Sequence, residues 1–117
     1  MENCLGRSEQ FQELDKKLTK EAYKLTEEIQ VDHVPIFQRW LKKKLQCIEK
    51  SKTLMHQNPN ITIDELATVL DTRIEREARK LDKTKSFEKM ETIYSTLSAL
   101  EWTRNTVRTV FLKYRQL

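Results

Sequence analysis

A chain of 117 residues is the length of one ordinary domain and can bury a core without disulfide staples. Charged residues make up 34 % and mean hydropathy is −0.73, yet large apolar residues recur periodically throughout, which argues against a disordered chain. The net charge of +4 and pI of 9.1 admit an anionic partner, while two distant cysteines and no apolar leader argue against a disulfide framework or metal knuckle and point to an intracellular, reducing compartment, cytoplasmic or nuclear.

One glycine, Gly6, and two prolines, Pro35 and Pro59, leave little turn material, so few and long helices are expected. The first spans 8–31: Ser8 is the expected cap, and Phe11, Leu14, Leu18, Ala22, Leu25 and Ile29 follow in a narrow stripe. The second spans 34–57, with Asp32 as cap and Pro35 in the first turn, where its missing N–H costs nothing. One of its stripes is Val34, Phe37, Leu41, Leu45, Ile48 and Met55; a second is Ile36, Trp40, Cys47 and Leu54.

The third helix, 62–83, carries the clearest local signal. Thr62 and Glu65 have capping-box spacing, and Ile61 and Leu66 hold the positions of a hydrophobic staple. The fragment ELATVL invites a helix-turn-helix reading, but Asp71 to Arg76 continue the helical period where the sharp turn should fall. The fourth helix spans 86–117, with a stripe of Ile93, Leu97, Leu100, Val107, Phe111 and Tyr114. Arg104 falls inside that stripe and Trp102 opposite it.

Short links force antiparallel neighbours, so the expected fold is one all-α domain over residues 1–117, an up-down-up-down four-helix bundle or two packed helical hairpins. Helix four, at about 32 residues and roughly 48 Å, should overhang the others unless residues 1–7 fold back beside it. Arg104, Lys52 and Glu65 are expected to meet in one polar layer that sets register, and Glu77 to approach Lys44.

Catalysis has little support, because His33 and His56 sit at opposite ends of helix two and no nucleophile, phosphate-loop or metal motif is present; no cofactor is implied. The expectation is a non-enzymatic interaction module, an adaptor or complex subunit without membrane insertion. It would dock another protein, or its own copy through helix four as a homodimer, using Trp102, the stripe of Ile36, Trp40, Cys47 and Leu54, and the helix-four end with Phe111, Leu112, Tyr114 and Leu117. The alternative is nucleic-acid binding along Arg39, Lys42, Lys43 and Lys50, unless the acidic first helix neutralises that face.

Overall fold

A computed structural model describes residues 2–115, with side-chain surroundings from residue 9 onward. Its four helices are α1 (Glu2–Val31), α2 (Pro35–Gln57), α3 (Ile63–Lys83) and α4 (Phe87–Arg115), a compact helical bundle. Leu117 lies outside the described residues.

The first helix differs from expectation at its start. It begins at Glu2, so Ser8 lies within it and does not cap it. The consequence falls on the other end of the bundle, because α1 now matches the 29 residues of α4. Glu13 of α1 pairs with Lys113, and Phe111 and Tyr114 pack against the core. The end of helix four therefore has α1 beside it and does not stand free, although Leu112 stays exposed.

The links obey local chemistry. Asp32 accepts from the Val34 N–H at 2.9 Å, making a turn and not the cap of α2; the N-cap position is Val34, and Pro35 opens the helix. Gln38 reaches back to donate to the carbonyls of Ile29 and Asp32, which satisfies acceptors left open at the end of α1. Thr62 caps α3 as expected, accepting from the Glu65 N–H at 3.0 Å, while its hydroxyl lies 3.1 Å from Glu65 Oε1.

Packing does not follow a square. α4 touches all three other helices, α2 lies directly on it, α1 fills the side between them, and α2 barely meets α3. Where α2 meets α4, small residues are buried on both, Cys47 and Ser51 on one and Ala99 and Thr103 on the other, with Thr103 against Cys47. Leu14, Leu18 and Leu25 of α1 and Ile63, Leu66 and Leu70 of α3 complete one continuous core with Ile48, Val107 and Val110.

Thr103 is fully buried because its hydroxyl is satisfied within its own helix. It donates to the Ala99 carbonyl at 2.9 Å and lies 3.3 Å from Cys47 Sγ. The buried face of α4 accordingly runs through Ile93, Ala99, Leu100, Thr103, Val107 and Val110, rotated roughly 50° from the stripe read in the sequence. That rotation moves Arg104 from the centre of the face to its edge.

There Arg104 reaches Asp71 of α3 at 3.3 Å, and Arg108 takes the other oxygen of the same carboxylate at 2.6 Å. Lys52 turns instead to α1, 2.6 Å from Thr19 Oγ1 and 3.8 Å from Asp15, and Glu65 stays at the α3 cap. The three residues expected to share a polar layer thus go to three separate partners. Glu77 pairs with Lys80 on its own helix, not with Lys44.

Two measurements check these assignments. Thr62→Ala should cost about 1 kcal/mol in urea unfolding, the usual loss for a capping hydroxyl. No change would mean that the cap is idle. The second concerns Glu13, whose carboxyl is held below its usual pKa, first by the hydrogen bond from Lys113 and against an opposing effect of burial. Lys113 is raised by the same bond. A lowered carboxyl stabilises the fold above its unfolded pKa and loses that contribution as pH falls through the folded one; a raised ammonium stabilises below its unfolded pKa and loses it as pH rises through the folded one. The pair is intact at neutral pH, so Glu13→Gln should flatten the acid limb of a stability-against-pH curve, and an unchanged limb would remove the pair from it.

Candidate functional site

Trp102 is reached by solvent on one side only, where it lines a depression with Lys17, Lys20 and Lys24 of α1. It is half-buried against the core, and the ammonium of Lys44 lies 4.4 Å from its ring centroid and 5.3 Å from that of Trp40. Lys44 comes from α2 and its side chain is only 8 % exposed, so its charge needs compensation. Glu21 of α1 provides it at 3.0 Å, and the two indole faces add cation–π attraction. The Lys stem and the rings close the junction of α1, α2 and α4, a structural duty that occupies one side of Trp102.

The remaining expected contact residues divide by burial. Cys47 is 7 % exposed and sits against Thr103, so it is unavailable for docking. Burial pushes its thiol pKa up, against a lowering hydrogen bond to Thr103. Leu54, Phe111 and Tyr114 are partly buried against the core, whereas Ile36 and Leu112 are exposed. The second stripe of α2 is thus mostly core, because α2 packs α1 on one side and α4 on the other.

An apolar surface does remain, at the end of the bundle where α2 and α4 both begin. A groove of about 330 Å³ lies between these parallel helices, walled by Trp40 of α2 and by Phe87, Met90 and Tyr94 of α4. Phe87 is 79 % and Tyr94 58 % exposed. Ile36 and Phe37, also exposed, lie one turn before Trp40 and extend the apolar surface along α2. Ser95 lines the groove too, but its hydroxyl already donates to the Glu91 carbonyl at 3.0 Å; Glu91 supplies the only charge among the lining residues.

Phe87, Met90 and Tyr94 were missed as contacts in the sequence, although their spacing of three and four residues was a usable signal. They share a face of α4 well away from Leu100, and Ser98 and Trp102 continue it. The alternative basic face also changes: Lys43 and Lys50 line a cleft toward α3, while Arg39 and Lys42 are exposed outside it. Among the described residues no three of His, Cys, Asp or Glu come together as a metal site, and no helix is long and apolar enough to cross a membrane.

Compared with known proteins, the chain matches no family model, and neither a curated protein nor a solved structure shows significant similarity to it.

The junction around Lys44 can be tested apart from any partner. Lys44→Ala, which removes stem and charge, should lower stability by about 2 kcal/mol, whereas Lys44→Met, which keeps the stem, should lose less than about 1 kcal/mol. Urea unfolding followed by tryptophan emission reads both. Equal losses would assign the effect to the charge alone.

Proposed function

We infer that the chain is a non-enzymatic interaction module that holds an amphipathic helix of a partner protein in the groove between α2 and α4. The observation that carries this reading is the exposure of Phe87 and Tyr94 beside a groove walled by Trp40 and Met90. Aromatic side chains present large contact areas with little entropy to lose, and they dominate the energetics of interfaces. Exposed residues of this kind, gathered around one concavity, favour docking over scattered surface apolarity.

The shape argues for a helix. From Phe87 to Ser98 the groove follows α4 for about 16 Å, or three turns, which suits a partner with apolar residues at i, i+3 or i+4, and i+7. Charge favours a basic partner over a second copy, since the groove's own charge is Glu91 and an identical groove offers no cation to it. A partner helix bearing Lys or Arg would meet Glu91 favourably. Separation of His33 and His56 at the two ends of α2 supports a role without catalysis, and a free, buried Cys47 suits a reducing compartment.

Display selection of helical peptides on the full chain, followed by amide and indole chemical shifts, tests the reading. Selected peptides should carry the i, i+3/i+4, i+7 apolar pattern with a basic residue, shift Trp40, Met90 and Tyr94, and lose about tenfold in affinity or more against Tyr94→Lys. Peptides that bind Tyr94→Lys equally well, or that shift the Leu112 region instead, would overturn it. A wild-type dimer that becomes monomeric as Phe87→Ser would hand the groove to a second copy.

A further inference from the structure

The weak contact between α2 and α3 leaves a second concavity, independent of the apolar groove. It is a cleft of about 420 Å³ with α4 as its floor, where Ala99 and Leu100 join Cys47. Its walls are cationic: Lys43 and Lys50 project from α2, and Arg73, Arg76 and Lys80 from α3. Glu77 is the one carboxylate among these lining residues, and it already pairs with Lys80 at 3.1 Å. A shallower depression adjoins the cleft through Gln46, Lys50 and Arg73 and adds a single further carboxylate, Glu49.

Four of these cations lack compensation. Among the described residues, no carboxylate lies within salt-bridge distance of Lys43, Lys50, Arg73 or Arg76. The acidic residues of α1 cannot serve them, because α1 packs on the other side of α2. There Glu21 is engaged by Lys44, Asp15 by Lys52 and His56, and Glu13 by Lys113. On the α4 side Asp71 is taken by Arg104 and Arg108. The two walls therefore repel each other across the cleft, and a multivalent anion between them would relieve that repulsion.

We propose that the α2–α3 cleft binds a compact anion carrying several phosphates, held by Arg73 and Arg76 from one wall and Lys43 and Lys50 from the other. The guanidinium forks suit bidentate contact with phosphate oxygens, and the lysines act as point charges around them. A single-stranded nucleic acid fits less well. Such ligands use aromatic platforms for their bases, and no aromatic side chain lines the cleft. The same phosphate chemistry occurs on soluble inositol polyphosphates and on phosphorylated lipid headgroups, so both sources require an arm in the test.

Calorimetric titration of the full chain with tripolyphosphate and with inositol hexakisphosphate at low ionic strength should give saturable binding, weakened about tenfold or more by the double variant Arg73→Gln/Arg76→Gln. Lys43→Gln/Lys50→Gln should weaken it as well, while Arg39→Gln/Lys42→Gln, outside the cleft, should leave it nearly unchanged. All three remove like charges from the surface, and melting curves confirm that each is folded. Flotation with phosphatidylcholine vesicles, with and without a bisphosphorylated inositol lipid, separates the sources. Retention that needs the phosphorylated lipid and Arg73 and Arg76 supports a headgroup; soluble binding alone supports a free anion. The proposal is overturned by no binding, by equal weakening in the outer-face variant, or by a single-stranded oligonucleotide that binds more tightly through the same arginines.

Discussion

Everything in this bundle depends on α4 lying against all three other helices, with α2 packed on it between the two flanks. Small residues are buried on both helices, Cys47 and Ser51 of α2 and Ala99 and Thr103 of α4, and the Thr103 hydroxyl lies 3.3 Å from Cys47 Sγ. Small side chains allow the two helices to approach, as ridges fit grooves only where bulk permits. With α2 and α4 paired at the centre, α1 and α3 are left to opposite flanks. An up-down-up-down chain has thereby become an arrangement in which one pair of sequence neighbours, α2 and α3, hardly touches.

Both concavities follow from that choice. The pairing brings the first turns of two parallel helices side by side at one end of the bundle, where neither α1 nor α3 covers Phe87 and Tyr94. On the α3 flank it opens a cleft floored by α4, and it places the carboxylates of α1 on the far side of α2 from the cations there. The overall charge of +4 is modest. Its distribution matters more, because the cations lining the α2–α3 cleft face each other with one carboxylate among them, Glu77, already paired with Lys80.

Much of the architecture was legible because it rests on local chemistry. The capping box at Thr62 and Glu65, Pro35 in a first turn and short links between periodic stripes all act within a few residues, and each appears where it was expected. The start of α1 was misread because Ser8 resembles a cap, although a serine is tolerated inside a helix. The candidate site was legible only in fragments. Trp40 lines the groove and Ile36 borders it as exposed surface, but Trp102 is engaged by Lys44, and Phe87, Met90 and Tyr94 went unread as a second stripe of α4.

The phase of α4 shows where the division lies. Period alone determined that residues 87–115 form a helix with an apolar face, since spacing of three and four is a property of the chain itself. Which face is buried depended on what came to lie against it. Thr103 could count as core only once its hydroxyl had found the Ala99 carbonyl and α2 had closed over it, and Arg104 could sit at the edge only once Asp71 stood opposite. The sequence by itself determined four helices, their order and the side-chain cap at Thr62. Tertiary packing alone decided which cations are paired, which aromatics are covered, and where the surface remains open, because those depend on side chains from helices far apart in the chain.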